Sequence, residues 1–99
     1  MKVICIVKVV KLEAVLRALS GFPVEAVTTE EVRGYGRQKG HLELYQGTEY
    51  TVTFLPKARV EFHAPPDTAE EAAAAAVEAA RTGRIGDGKV FLLDEVPAP

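Results

Sequence analysis

The chain has 99 residues, of which 47% are hydrophobic and 26% are charged, and its formal net charge at pH 7 is −2. This length fits one domain, and the net negative charge argues against a general nucleic-acid binder, because phosphate binding needs a net basic face. No run of about 18 apolar residues predicts a membrane span. A single cysteine leaves no intrachain disulfide, and the N-terminus does not resemble a signal peptide, so a cytoplasmic location is expected.

The first part of the chain predicts a strand, a helix and a second strand. Residues Lys2–Val10 are mostly β-branched and apolar, which is typical of a central strand, and Cys5 within them is interpreted as a small buried hydrophobe. Residues Lys11–Ser20 carry apolar side chains at the spacing of an amphipathic helix, with Gly21 as its C-terminal stop. Residues Val24–Val32 then predict a strand that runs into a glycine-rich segment.

The segment Arg33–Lys57 is too polar and too rich in glycine for a core. It is also too long for an ordinary connection, and such long loops are usually functional or disordered. Within it, Thr51–Leu55 alternates weakly and Pro56 is expected to interrupt the strand. The following residues, Lys57–His63, alternate charged and apolar side chains, as a half-buried strand does. We expect a long docking loop at residues 35–53.

The last part of the chain predicts a helix and a final strand. Residues Thr68–Arg81 are rich in alanine and form the predicted helix. Asp67 is expected to cap that helix, with Glu70 completing a capping-box-like pair. Residues Lys89–Val96 predict the last strand. The order β-α-β-loop-β-α-β is that of the ferredoxin-like α+β fold, βαββαβ, with two helices on one face of a four-stranded antiparallel sheet.

A second glycine-rich segment, Thr82–Lys89, contains the spacing G-x-x-x-x-G-K. A Walker A motif needs Ser or Thr next, where Val90 stands. A P-loop also runs from strand to helix, whereas this loop runs from helix to strand, which excludes the P-loop fold. Glycines and the cations Arg84 and Lys89 still suit an anion. On the residues alone, phosphate binding and a plain glycine-rich turn remain alternatives. We expect the two glycine-rich segments to meet.

Two other classes of function have little support. Residues Arg33–Gly36 match the first half of an RNA-recognition motif. The second half fails, because Arg37, Gln38, Lys39 and Gly40 stand where that motif has aromatics that stack on bases. No spacing suggests a dedicated zinc site, and no nucleophile, base and orienting group form a set. His41 is interpreted as solvated and His63 as facing a sheet surface. An enzyme, such as a slow ATPase, is therefore the weakest hypothesis.

Three blocks of sequence match a known family in residues and in spacing, namely Glu31–His41 with Glu43–Tyr45, Gly47–Tyr50 with Phe54–Lys57, and Ala80–Phe91. Through these blocks the chain resembles the PII nitrogen-regulatory signal-transduction family, as a single PII-type domain over residues 1–99. The resemblance implies a homotrimer with nucleotide sites between subunits. It also implies a non-enzymatic regulator that binds ATP or ADP and, with Mg-ATP, 2-oxoglutarate. Its long loop would dock on an ammonium transporter or on nitrogen-assimilation enzymes, and a transporter partner would recruit it to the membrane.

The resemblance also implies roles for particular residues. The nucleotide-binding loop is residues 82–89, and the implied nucleotide contacts are Thr28, Gly36, Arg37, Gln38, Glu61, His63, Gly86, Asp87, Gly88 and Lys89. The implied contacts of 2-oxoglutarate are Gln38, Lys39, Gly40 and Lys57. The side-chain oxygen of Gln38 would also help to hold Mg²⁺, with phosphate and 2-oxoglutarate oxygens as most other ligands. Tyr50 aligns with a tyrosine that some members have uridylylated, and Thr48, more weakly, with a phosphorylated position.

One departure from the family pattern leaves a second interpretation open. The family usually has arginines beyond the last strand that help to hold the nucleotide, whereas this chain has no arginine after Arg84. The preference between ATP and ADP is therefore not predicted. The alternative is a PII-like trimeric interaction module that has lost part of its effector sensing.

Overall fold

A computed structural model describes residues 1–37, 52–84 and 87–96 of the chain. The elements in chain order are β1 (Lys2–Lys8), α1 (Leu12–Leu19), β2 (Glu25–Arg37), β3 (Val52–His63), α2 (Pro66–Ala80) and β4 (Gly88–Leu93). A short 3-10 helix, Val9–Lys11, joins β1 to α1. The strands form one sheet in the order β2-β3-β1-β4, with every neighbouring pair antiparallel. This order confirms the predicted ferredoxin-like fold.

The hydrophobic core lies between the sheet and the two helices. Successive side chains of a strand point to opposite faces, and Val3, Cys5 and Val7 of β1 are buried beneath the helices. The buried residues of α2 are all alanines, Ala69, Ala72, Ala73, Ala76 and Ala80. Their small side chains let α2 lie close to the sheet. Cys5 is buried as predicted, and burial raises the pKa of its thiol to about 11, so Cys5 is packing rather than a nucleophile.

The opposite face of the sheet has no covering element among the described residues. Ile4 of β1 lies opposite Phe91 of β4 on this face, which we call the open face. Phe91 and Leu93 are 47% and 45% exposed. Charged side chains of β1 and β3 flank this apolar patch. Neither described helix has the length and hydropathy needed to cross a membrane.

The strands around the predicted docking loop are longer than expected. β2 continues to Arg37 and β3 begins at Val52, so both ends of the predicted loop 35–53 lie within strands. Pro56 does not interrupt β3, which is a correction. It lies opposite Arg33 of β2, while the pairing of β1 with β3 ends at Lys57. Proline lacks a backbone N–H, and it is tolerated here because β1 does not pair with β3 at this position.

The start of α2 also corrects a prediction. Asp67 does not cap the helix, because the N-cap is Pro65, which makes no side-chain capping bond. The carbonyl oxygen of Pro65 instead accepts hydrogen bonds from the amides of Thr68 and Ala69, at 3.0 and 2.9 Å. Pro66 occupies the first turn, where a missing N–H costs nothing. Asp67 follows it in that turn, where a carboxylate favours the helix dipole.

Candidate functional site

The structure describes the predicted site residues to different extents. Side chains are described for Thr28, Lys57, Glu61, His63, Asp87 and Lys89, together with Gly88. For Gly36 and Arg37 the structure places the backbone in β2. The remaining predicted residues, Gln38, Lys39, Gly40, Thr48, Tyr50 and Gly86, lie outside the described residues.

The residues predicted to flank a nucleotide base lie together on β2 and β3. Thr28 pairs directly with Glu61 across the two strands. The Glu61 carboxylate accepts a hydrogen bond of 2.7 Å from Arg59 and lies 3.4 Å from the Lys2 ammonium. The hydrogen bond from Arg59 is the main cause of the lowered pKa of Glu61. The Glu61 carboxylate is therefore charged and held in place at neutral pH, and it lies beside the exposed side chain of Thr28.

An irregularity in β2 sets the position of Thr28. The register between β2 and β3 shifts between Glu25 and Thr28. Within that shift, Ala26 has a φ of 52°, which places a residue with a side chain in the left-handed region. Such strain marks positions where the surrounding structure dictates the backbone. The bulge turns the start of β2 and brings Thr28 opposite Glu61.

His63 is tied to the segment after β4. Its Nδ1 lies 2.7 Å from a carboxylate oxygen of Glu95. The other oxygen of Glu95 lies 2.9 Å from the ammonium of Met1. The hydrogen bond from that ammonium is the main cause of the lowered pKa of Glu95. His63 lies on a sheet surface as predicted, and its imidazole is engaged there by a carboxylate.

In the described part of the second glycine-rich segment, the carboxylate of Asp87 contacts the residues at its start. This carboxylate accepts hydrogen bonds from the amides of Thr82 and Gly83, at 2.8 and 3.0 Å, and from the hydroxyl of Thr82. The ammonium of Lys8 lies 3.3 Å away. These donors, with the Thr82 hydroxyl first, hold the pKa of Asp87 well below its usual range. The Asp87 side chain is thus engaged by Thr82, Gly83 and Lys8.

Gly88 follows at the start of β4, where the chain passes close to β1. Its φ is 141°, and a β-carbon there would lie 2.0 Å from the carbonyl oxygen of Ile6. Only glycine can occupy this position without displacing the backbone. The close approach places Lys89 opposite Ile6 in the sheet, with an exposed side chain.

Lys57 lies within β3 and pairs directly with Lys8 at the end of β1. Burial of its ammonium, followed by the charge of Lys8, lowers the pKa of Lys57, while Asp87 acts in the opposite direction. This part of the sheet therefore concentrates positive charge, which the carboxylate of Asp87 offsets in the described part of the chain. Such a pair of ammonium groups suits a small dianion.

A cavity of about 310 Å³ borders the same loop. It lies between α2 and the β1–β4 pair, and its apolar floor includes Cys5, Val7, Val77 and Val90. Asp87, Gly88 and Lys89 line its edge. The described part of the predicted nucleotide loop therefore borders this recess.

The site residues form two clusters that one copy of the chain does not bring together. Thr28, Glu61 and His63 lie on β2 and β3. Asp87 and Lys89 lie at the start of β4, and β1 separates β3 from β4. Sequence reasoning missed Lys8, whose contacts with Thr82 and Asp87 join distant parts of the chain. The spacing of residues gives no signal for Lys8, because it lies 79 positions from Asp87 and meets it only after the sheet forms.

Comparison with known proteins matches nearly the whole chain to the family that the sequence resembles. The family model described as nitrogen regulatory protein P-II matches residues 1–95. The chain is 47% identical over 90 residues to nitrogen regulatory protein P-II of Rhizobium etli, covering 91% of this chain and 80% of that one. It is 45% identical over 93 residues to nitrogen regulatory protein P-II 1 of Escherichia coli, covering 94% and 83%. The chain belongs to the P-II family of nitrogen regulatory proteins.

Proposed function

We propose that this protein is a cytoplasmic regulator that senses nitrogen, carbon and energy status by binding ATP or ADP and 2-oxoglutarate. It controls an ammonium transporter or nitrogen-assimilation enzymes through the loop at residues 35–53. The observation that carries the proposal is the family match over residues 1–95, which includes the sequence blocks to which the resemblance assigns ligand contacts. Regulators of this family act by binding, and the protein has no proposed catalytic residue.

The assembly we propose is a homotrimer with its ligand sites between subunits. The separation of Thr28 and Glu61 from Asp87 and Lys89 supports it, because a second copy can bring the missing half of each site. The exposed Phe91 and Leu93 on the open face support it as well, since large apolar patches favour association.

In the ligand chemistry we propose, the positive side chains of the site bind the negative groups of the ligands. Lys89 and backbone amides after Asp87 take the phosphates, and Lys57 takes a carboxylate of 2-oxoglutarate. Mg²⁺ is bound by Gln38 together with oxygens of both ligands. Among the described residues no cluster of three or more Asp, Glu, His or Cys could hold a metal. This fits an ion that takes most of its oxygens from ligands, as Mg²⁺ often does. A shared metal couples the ligands reciprocally, so that each raises the affinity for the other.

Isothermal calorimetry of the 99-residue chain with Mg-ATP, with and without 2-oxoglutarate, tests the proposal. We expect 2-oxoglutarate to bind only in the presence of Mg-ATP, with a stoichiometry of one per chain. Light scattering on the same sample is expected to give three chains per particle. Binding of 2-oxoglutarate without nucleotide would contradict the coupling, and absence of nucleotide binding would overturn the proposed function.

A further inference from the structure

The three residues Asp94–Val96 follow β4 and leave the sheet at one end. The last residue pair between β1 and β4 joins Lys2 to Leu93, so Asp94–Val96 continue beyond the strand pairing. Asp94 is exposed, and Val96 is 91% exposed. Among the described residues, neither strand pairing nor apolar packing therefore holds these three residues, which we call the exit segment.

The polar contacts of the exit segment come from Glu95. One oxygen of its carboxylate lies 2.9 Å from the ammonium of Met1, and the other lies 2.7 Å from Nδ1 of His63. Within the described part of the chain, the exit segment makes no other ion pair or hydrogen bond. One side chain therefore ties the exit segment to the start of β1 and to the end of β3.

Both partners of Glu95 are held by the sheet. The ammonium of Met1 donates a hydrogen bond of 2.9 Å to the carbonyl oxygen of Ala64. The amide of Ala64 in turn donates a hydrogen bond of 2.9 Å to the carbonyl oxygen of Met1. His63 is the last residue of β3 and precedes Ala64. The carboxylate of Glu95 therefore contacts two groups whose backbone positions the sheet fixes.

The same contacts form one wall of a recess at this end of the sheet. The recess has a volume of about 490 Å³, and Glu95 lines it together with Met1 and His63. The strained residue Ala26 and the exposed Pro65 line it as well. Because Glu95 and both of its partners line the recess, the position of the exit segment determines how far the recess is open.

We propose that Glu95 latches the exit segment across this end of the sheet, and that the latch opens while the sheet stays intact. The side chains of Met1, His63 and Glu95 are 21%, 35% and 42% exposed, so salt screens their attraction and its contribution to stability is small. Segments held by few contacts open locally at a low free-energy cost. The lowered pKa of Glu95, caused first by the Met1 ammonium, agrees with a charged carboxylate in the closed state. Opening of the latch uncovers the recess, and this inference does not depend on the proposed ligands.

Nuclear magnetic relaxation of the backbone amides tests the latch in the 99-residue protein. We expect the order parameters of the Glu95 and Val96 amides to be near 0.85 in the wild type and below about 0.6 in Glu95→Ala. Asp94→Ala removes the neighbouring exposed carboxylate and is the matched control, which should leave both order parameters unchanged. Unchanged order in Glu95→Ala would overturn the proposal.

A second variant tests whether His63 acts through Glu95. His63→Phe keeps a ring and removes Nδ1, and it is expected to lose part of the order, because the Met1 ammonium still contacts the carboxylate. The double variant should lose no more order than Glu95→Ala alone, since both substitutions remove the same contact. A further, additive loss in the double variant would overturn the shared latch.

Salt and hydrogen exchange test the remaining parts of the proposal. Raising the salt concentration from about 0.1 M to about 1 M shortens the screening length from roughly 10 to 3 Å. We expect this change to lower the order parameters of the Glu95 and Val96 amides in the wild type but not in Glu95→Ala, and no effect in the wild type would overturn an ionic latch. The amides of β4 that exchange slowly in the wild type should keep their rates in Glu95→Ala. Faster exchange throughout β4 would show that the strand opens together with the exit segment, and it would also overturn the proposal.

Discussion

Gly88 lies so close to Ile6 of the neighbouring strand that a β-carbon at position 88 would be 2.0 Å from the Ile6 carbonyl oxygen. The atom in the way belongs to the backbone, so no side-chain rotation can relieve the contact. We expect Gly88→Ala to separate β4 from β1 and to lower the free energy of unfolding by about 3 kcal/mol or more. Urea unfolding followed by circular dichroism measures this loss.

The matched control for this substitution is Gly83→Ala. Gly83 also has a positive φ, 83°, but no atom of the described residues lies within 4 Å of a β-carbon built there. Only the backbone conformation is then penalised, at about 1–2 kcal/mol. Equal losses in the two variants would show that the approach to Ile6 does not constrain Gly88.

Ala26 gives a prediction of opposite sign. Its φ of 52° is costly for alanine and free for glycine. Ala26→Gly is therefore expected to raise the free energy of unfolding. The increase should be only about 0.5–1 kcal/mol, because the greater entropy of glycine in the unfolded chain offsets part of the relieved strain. Ala74→Gly, at an exposed position within α2, is the control and should lose about 1 kcal/mol. Destabilisation by Ala26→Gly as large as that of the control would contradict the strain at the bulge.

Much of the fold could be predicted because its signals are local. The apolar strand Lys2–Lys8 and the alanine-rich helix Pro66–Ala80 follow from periodicity and composition. The prediction for Pro56 was wrong because it assumed that a missing backbone N–H breaks the strand. The sequence does not show that β1 no longer pairs with β3 at this position. Asp67 was misjudged because Pro66 starts the helix earlier and takes the capping position away from it.

The candidate site also has features that the sequence could predict and features that it could not. Glycines and cations lie within a few residues of one another at 82–89, so the sequence alone could predict an anion-binding loop there, with a plain glycine-rich turn as the alternative. The ion pair of Lys8 with Asp87 and the pairing of Thr28 with Glu61 depend on strand order and register. Those relationships appear only when distant strands are placed side by side, because no local pattern encodes them.

The charge of Asp87 predicts how stability depends on pH. Its donors lower the folded-state pKa below the unfolded value of about 3.9. The stabilisation is therefore complete above the unfolded pKa and is lost as the pH falls through the folded pKa. We expect the wild-type protein to be more stable than Asp87→Asn at pH 7, and the difference to shrink as the pH falls below about 4.

Urea unfolding of both proteins at a series of pH values between neutral and strongly acidic measures that difference. Asp94→Asn, at an exposed carboxylate after β4, is the control, and its difference from wild type should change much less over the same range. A difference for Asp87→Asn that stays constant with pH would mean that its carboxylate is not held as an anion by Thr82, Gly83 and Lys8.

We expect Lys89 and Lys57 of the proposed site to affect the binding of different ligands. If Lys89 makes a charge-assisted bond to phosphate, Lys89→Ala weakens the binding of both ATP and ADP by about 1.5–3 kcal/mol. Lys57→Gln is expected to spare ADP and to weaken 2-oxoglutarate by a similar amount in the presence of Mg-ATP. Lys11→Ala is the control for loss of one positive charge. The separation follows from position, because Lys89 follows the glycine-rich loop whereas Lys57 lies within β3. Calorimetry with each ligand decides the assignment, and equal loss of ADP and 2-oxoglutarate in Lys57→Gln would show that Lys57 serves the nucleotide instead.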